Sequence, residues 1–394
     1  MVQVLNSGER EGFDTRKHLE NARRQAEERN YSGFVIVDAD AHHYEGESWT
    51  DIYRYIEDPV LRHRALASDH SGGRGRPIHF EEPGRQSVAG RVRRYELYDR
   101  EVTPKDVHRD AELSRRQRES IGLDYQIVFP TAMLELGMHP DPFVEVQLSW
   151  AYSRWLVENV TPHDPHMKTM IYLPFSDPEA SLRAIEEFSD KPGVVGFTVT
   201  TTRYQTVHQN KYMPVYAALQ ERNLPLGFHA SFYQRERLFE GMSQFLSVHA
   251  LGFVFPTVVH ATNMVINGIP ERFPNLKVIW IESGLAWVPF LMQRLDNEYM
   301  MRTSEAPLLK KKPSEYLREN FYYATQPLEM DNMEALELTL NMINAETQLL
   351  FASDYPHWDF NLPSTIYDLP FLSEKAKRRI LGENAMGVYP LEQA

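Results

Sequence analysis

Val35-Ile36-Val37-Asp38-Ala39-Asp40-Ala41-His42-His43-Tyr44-Glu45 starts as an apolar run and ends in a crowd of acids and histidines. With Phe34 ahead of it, the run reads as a buried strand. Side chains alternate along a strand, so Asp38, Asp40 and His42 share one face while Val37, Ala39 and Ala41 share the other. Ionisable groups collected on one face of a buried strand are costly unless a cation or a proton network compensates them. Oxygen and imidazole donors two residues apart, as at Asp40 and His42, suit a divalent metal. The competing reading is a solvated loop with scattered charges, and the apolar lead-in Phe34-Val35-Ile36-Val37 argues against it.

Downstream of this strand the pattern alternates. Gln126 to Thr131, Met170 to Pro174, Val194 to Val199, Leu226 to His229, Lys277 to Glu282, Phe321 to Thr325 and Leu349 to Asp354 read as further strands. Helical stretches are expected from Pro142 to Val160, Pro178 to Phe188, Met213 to Arg222, after His229 as far as Arg272, Ala286 to Met301, and Met333 to Leu340. Strands separated by helices pair in parallel, and eight such units close into a (β/α)8 barrel of the TIM type. An open, doubly wound sheet would place a glycine-rich phosphate turn after the first strand, and none stands there. The expected organisation is a helical extension over residues 1–33 and a metal-dependent barrel over 34–394, with 46–105 inserted after the first strand. That insertion contains His70-Ser71-Gly72-Gly73-Arg74-Gly75-Arg76-Pro77 and reads as a cap over the barrel mouth or a contact to a second subunit. Asp14 to Arg29 is charge-rich and reads as an exposed helix that either clasps a partner or is simply solvated.

Composition narrows the chemistry. The 394 residues are 42% hydrophobic and 12% aromatic, enough for a large core. A formal charge of −13 disfavours nucleic acid and anionic membranes as partners. Without cysteine there is no disulfide, thiolate zinc site, iron–sulfur cluster or thiol nucleophile, so any metal is held by His, Asp and Glu. No segment reads as a signal peptide or approaches the ~18 apolar residues of a membrane span. A cytoplasmic homodimer acting on a small molecule is the expectation.

A barrel gathers its chemistry at the C-terminal ends of its strands. Here these ends carry Asp40 and His42, then Phe228-His229, Glu282-Ser283-Gly284, and Ser353-Asp354-Tyr355-Pro356-His357. Arg203 and Tyr204, just past the fourth strand, have the chemistry to bind a carboxylate or phosphate, although a surface arginine is the ordinary case. His260 lies on an apolar helical face and reads as a packed core histidine.

Together with Asn267-Gly268-Ile269-Pro270-Glu271-Arg272-Phe273-Pro274-Asn275-Leu276-Lys277 and Glu282-Ser283-Gly284-Leu285-Ala286-Trp287-Val288-Pro289, these motifs resemble the amidohydrolase superfamily. They are most similar to its branch related to aminocarboxymuconate semialdehyde decarboxylase. The resemblance runs from about Val35 to Tyr389 and implies a metal site. Asp40 and His42 stand at the first-strand ligand pair, His229 at the fifth-strand ligand and Asp354 at the eighth-strand aspartate. Two departures are visible. The first pair is Asp-x-His where His-x-His is usual, and the fourth strand, Gly196 to Thr202, has no lysine for a bridging carbamate. Either one ion is bound, or Glu45 or Glu282 bridges two, with zinc, iron or manganese as the metal.

The resulting expectation is a hydrolase of an ester, thioester or amide, with thioesterase action among its forms. Asp354 is then the general base on a metal-activated water, Glu282 an acid or bridging ligand, His357 a substrate contact and Trp287 part of the substrate site. The alternative is non-oxidative decarboxylation of an aromatic or unsaturated carboxylic acid. An acid-rich pocket repels such acids, which tips the expectation toward hydrolysis. The arginines of the insertion, Arg91, Arg93 and Arg94 among them, would steer an anionic group.

Overall fold

The computed structural model describes residues 15–45, 48–69, 106–203, 205–231, 237–239, 241–242, 245–357 and 359–392. Eight strands lie in sequence order in one parallel sheet: β1 (Val37–His42), β2 (Tyr125–Phe129), β3 (Met167–Tyr172), β4 (Val194–Thr200), β5 (Leu226–His229), β6 (Val278–Ile281), β7 (Phe321–Ala324) and β8 (Leu349–Leu350). Past the short β8, the chain runs back against β1. The amides of Ala39 and His42 donate to Phe351 O and Tyr355 O at 2.8 Å, and Asp354 N donates to Asp40 O at 2.7 Å. The ring is thereby closed as a (β/α)8 barrel, as expected.

Strand alternation sorts the apolar residues into two layers. Ile127, Phe129, Met170, Ile279, Ile281, Ala324, Leu350 and Ala352 cluster together in the barrel. Phe197, Val199, Phe228, Trp280, Tyr323 and Phe351 point the other way, into the larger core under the helices. Burial of each such side chain contributes about 1.5–3 kcal/mol.

The helices start where the local chemistry says they should. In α5 (Pro142–Asn159) and α6 (Pro178–Phe188), proline occupies the first turn, where its missing N–H is no loss. Asp141 and Asp177 accept from the free amides, Asp177 Oδ1 from both Glu179 N and Ala180 N at 3.0 Å.

Three expectations need correction. The N-terminal helix α1 (Thr15–Glu28) is no solvated tail. Its Leu19 and Ala22 are buried in the main core beside Ile121 of α4 (Arg109–Ile121), and Arg29 clamps Asp368 through two bonds of 2.9 and 2.7 Å. The first part of the insertion folds as α2 (Trp49–Arg54) and α3 (Pro59–Asp69), whose Trp49, Ile52, Tyr53, Leu61 and Ala65 pack with Leu148, Tyr152 and Trp155 of α5. It therefore builds on the flank of the barrel. Residues 70–105, with the arginines expected to cap the mouth, lie outside the described residues. Finally, Leu246–Ile266, across α8 (Phe245–Gly252) and α9 (Val254–Ile266), is long and apolar enough by length and composition to cross a membrane. Its Ala261, Met264 and Val265 pack into the core of the protein.

Candidate metal centre

β1 delivers Asp40 and His42 to the mouth, β5 delivers His229, and the turn after β6 delivers Glu282. The ligand atoms of these four buried residues lie within 4.8 Å of one another. His42 also groups with Asp354 and His357 within the same limit. The backbone is bent to achieve this. Glu282 and Asp354 both hold left-handed conformations, with φ of 55° and 59°. Such a conformation costs an L-residue about 1–3 kcal/mol and persists where surrounding structure enforces it. The turn after Glu282 is held by Glu329, whose carboxylate accepts from Leu285 N at 3.1 Å and also from Ala286 N.

Two backbone carbonyls set the tautomers of the imidazoles. His42 Nδ1–H donates to Pro130 O at 2.9 Å, and His229 Nδ1–H donates to Ala230 O at 2.7 Å. A carbonyl only accepts, so in each neutral ring the proton sits on Nδ1 and the lone pair on Nε2. His42 Nε2 then faces Asp40 Oδ1 and Asp354 Oδ1, each at 3.3 Å, and His229 Nε2 faces Asp40 Oδ1 at 3.2 Å. These are lone pairs against lone pairs. Asp40 Oδ2, Asp354 Oδ2 and His42 Nε2 are buried and make no hydrogen bond. A cation among them resolves the repulsion, and the donor set suits a divalent metal.

The proton affinities follow from the same crowding. Burial pushes the Asp40 carboxyl up, but the His229 and His42 rings outweigh it and hold the group below the usual carboxylate range. Burial alone would lower His229; the charge of Asp40 and its bond overcome this and raise it. His42 is lowered, by burial first and the neighbouring His357 second. Asp354 sits well above the ordinary range because it is buried, with the Asp40 charge adding to the effect and His42 opposing it. His357 caps the group: its ring stacks on His42 at 4.1 Å and its Nδ1 lies 2.6 Å from Asp354 Oδ1.

The structure thus brings together Asp40, His42, His229, Glu282, Asp354 and His357. It does not bring Glu45 to them. Both Glu45 oxygens accept from backbone amides after β2, Thr131 N at 3.1 Å and Met133 N at 2.8 Å, so bridging of two ions by Glu45 has no basis in the geometry. Trp287 also faces elsewhere. It packs edge-on against Trp280 and Tyr323 in the core outside the strands, and its indole donates to Gly284 O at 2.9 Å. Arg203 stands at the barrel rim with a buried side chain 3.8 Å from Glu145, while Tyr204 lies outside the described residues. His260 is the packed histidine expected, bonded through Nε2 to Thr201 O at 2.8 Å.

Three supports carry no role in the reading of the sequence. Asp38 accepts from Ser353 and ties β1 to the segment carrying Asp354. His43, facing away from His42, is held by Asp110 Oδ2 at 2.9 Å and Tyr152 at 2.7 Å. Glu329 braces the Glu282 turn. Of these, only the parity of Asp38 with Asp40 is visible along the chain.

The amidohydrolase family profile matches residues 105–391. A γ-resorcylate decarboxylase of Polaromonas sp. (strain JS666) is 25% identical over 252 residues, covering 61% of this chain and 75% of the relative. Among solved structures, an amidohydrolase of Mycobacterium avium subsp. paratuberculosis K-10 superposes with a TM-score of 0.68 at 19% identity, over 90% of this chain and 99% of that one. A dihydroxybenzoic acid decarboxylase of Polaromonas sp. JS666, with bound manganese and 2-nitroresorcinol, gives 0.62 at 18% identity over 92% and 98%. The expected ester, thioester or amide hydrolysis is overturned by these likenesses, because curated relatives are decarboxylases. The physical error lies in treating the acids as bare charges: a divalent cation held among them offsets their charge, so the mouth need not repel an aromatic acid. With its profile match spanning most of the sequence, the chain is an enzyme that belongs to the amidohydrolase family.

Proposed function

We propose that this enzyme is a metal-dependent, non-oxidative decarboxylase of a hydroxylated aromatic carboxylic acid, with manganese as its ion. The observation that carries the reading is the kinship with γ-resorcylate decarboxylases, joined to a buried acid, Asp354, beside the cluster at the barrel mouth. Two carboxylates, Asp40 and Glu282, and two imidazoles, His42 and His229, form a mixed oxygen and nitrogen donor set in which manganese is accommodated. When bound, such an ion supplies a Lewis acid that neutralises the substrate's carboxylate and an adjacent oxygen.

The protein's own groups do the rest. Asp354 relays the proton: its Oδ1 faces His357 Nδ1 at 2.6 Å, which leaves the unbonded Oδ2 to carry a proton to the substrate. It delivers that proton to the ring carbon bearing the carboxylate. The bond to the carboxyl carbon then breaks, its electron pair returns to the ring, and carbon dioxide leaves. His357 orients Asp354 and stacks on His42, which keeps the acid in place while solvent restores its proton. Glu282, 3.6 Å from His229 Nδ1, completes the negative wall of the cluster.

The test is direct. Manganese-loaded protein is incubated with 2,6-dihydroxybenzoate and with 5-carboxyvanillate, and carbon dioxide and the decarboxylated phenol are measured. Release of both in equal amounts is expected, with Asp354→Asn lowering kcat at least about 100-fold. Fully metal-loaded protein that releases no carbon dioxide from any hydroxybenzoate overturns the reading.

A further inference from the structure

Pro130 and Thr131, the two residues that follow β2, each meet an imidazole of the cluster. Pro130 O accepts from His42 Nδ1 at 2.9 Å, and Thr131 Oγ1 lies 3.4 Å from His357 Nε2. These two rings are stacked on one another with centroids 4.1 Å apart. The carbonyl of Pro130 sets the tautomer of the first ring, and the hydroxyl of Thr131 sets that of the second. That hydroxyl has a single proton, which it donates to His43 O at 2.9 Å. Its oxygen therefore meets His357 Nε2 with a lone pair, and the ring nitrogen must donate. Nε2 of His357 carries a proton.

Thr131 is held for this task by its own backbone contacts. Its amide donates to Glu45 Oε2 at 3.1 Å, while Glu45 Oε1 takes the Met133 amide at 2.8 Å. On the other side, His43 N donates to Phe129 O at 3.0 Å, so β1 and the chain after β2 are tied together on both sides of the hydroxyl. The fully buried Glu45 thus fixes the backbone from which Thr131 reaches His357.

The consequence falls on Asp354. With Nε2 protonated, a neutral His357 turns its Nδ1 lone pair on Asp354 Oδ1, 2.6 Å away. Two acceptors that close need a proton between them, whether the ring or the acid bears it. The opposite tautomer would put the ring's own proton on Nδ1 and leave an ionised Asp354 as its ordinary acceptor, with none to spare. We propose that Thr131 is a positioning residue for the acid step: it fixes His357 with a proton on Nε2, and through that ring it keeps Asp354 paired with a proton. The effect on catalysis rests on the decarboxylase reading, whereas the tautomer does not.

The test has a spectroscopic and a kinetic arm. In the first, NMR of protein with isotope-labelled histidine nitrogens, loaded with diamagnetic zinc, reads the His357 ring, with His357→Gln identifying its signals. A protonated Nε2 is expected in the wild type, and a bare, pyridine-like Nε2 in Thr131→Val, which keeps the shape of threonine without the hydroxyl. In the second, manganese-loaded Thr131→Val is expected to lose about 10- to 100-fold in kcat on 2,6-dihydroxybenzoate, with KM and metal content within about twofold of wild type. Thr131→Ser, which restores the hydroxyl, is expected to recover most of that loss. A bare Nε2 in the wild type overturns the proposal by itself. So does a tautomer unchanged in Thr131→Val, a loss of manganese that accounts for the lost activity, or a serine variant as slow as the valine one. Should no hydroxybenzoate be decarboxylated while the His357 tautomer follows Thr131, the decarboxylase reading fails and the positioning stands. Decarboxylation with both tautomer and kcat indifferent to Thr131 means the opposite: the reaction stands and the role of Thr131 fails.

Discussion

Asp38 and Ser353 are joined twice: the Ser353 amide donates to Asp38 Oδ1 at 2.8 Å and its hydroxyl to Oδ2 at 2.5 Å. Each is one step from the metal cluster, since Asp40 follows Asp38 on the same face of β1 and Asp354 follows Ser353. One carboxylate therefore fixes the spacing of two candidate ligands drawn from opposite ends of the chain. Burial raises Asp38 from 3.8 to about 7, against the opposing Ser353 bonds.

The sign of that shift makes a prediction for metal-free protein. Between roughly pH 4 and 7 the folded chain holds a proton on Asp38 that the unfolded chain has lost, so stability falls as pH rises through this window. Asp38→Asn has no such titration. Wild-type stability relative to Asp38→Asn should drop by roughly 2–4 kcal/mol between those limits and flatten above. Urea midpoints across the range measure it, and a difference that stays flat would refute the assignment.

The His43–Asp110 pair has a different profile. Burial opposes the charge on both partners, but their 2.9 Å contact raises His43 above 6.5 and lowers Asp110 below 3.8. Stability from the raised histidine is complete below about 6.5 and is lost as pH climbs through its folded value. Stability from the lowered acid is complete above about 3.8 and is lost as pH falls. Asp110→Asn should therefore cost most, roughly 3–5 kcal/mol, between about pH 4 and 6.5. Thermal unfolding across pH would show it, and a penalty that grows toward about pH 9 would count against the pair.

Glu45 and His229 are separated by metal content. Alanine at His229 or His42 should empty the site, whereas Glu45→Gln should keep its ion and lose about 1–3 kcal/mol through the weakened bonds to Thr131 and Met133. Elemental analysis with a denaturation curve separates the two effects. Metal loss from Glu45→Gln equal to that from His229→Ala would return Glu45 to the ligand set.

Metal affinity should fall as pH drops. Asp40 raises His229, and a proton on His229 Nε2 occupies the lone pair that an ion needs. Competition titrations with a chelator should show tighter binding with each step up in pH until His229 is neutral, with proton release on binding. A pH-independent affinity would show that His229 is not a ligand.

Much of the site can be read along the chain because its residues follow local rules. Asp40 and His42 announce themselves by parity on an apolar strand, and His229 and Asp354 end apolar runs of strand length. Glu282 stands immediately after such a run, and His357 three residues beyond Asp354. Glu45 misleads for the same reason: an acid three residues beyond His42 looks like a ligand, yet the chain turns after β1 and sends it to the Thr131 and Met133 amides. Trp287 misleads in a similar way, since a residue next to a site motif on a helix is free to face the outer core.

What the sequence determined by itself is the order of eight strands, the closed barrel and the strand ends that carry chemistry, because period-two and helical patterning act over a few residues. Tertiary structure alone decided which acids meet. Asp38 with Ser353, His43 with Asp110, and Arg203 with Glu145 are 315, 67 and 58 positions apart, and no local pattern relates them. Closure of the ring brings β8 beside β1, and so turns separate acids and histidines into one centre whose lone pairs require a cation.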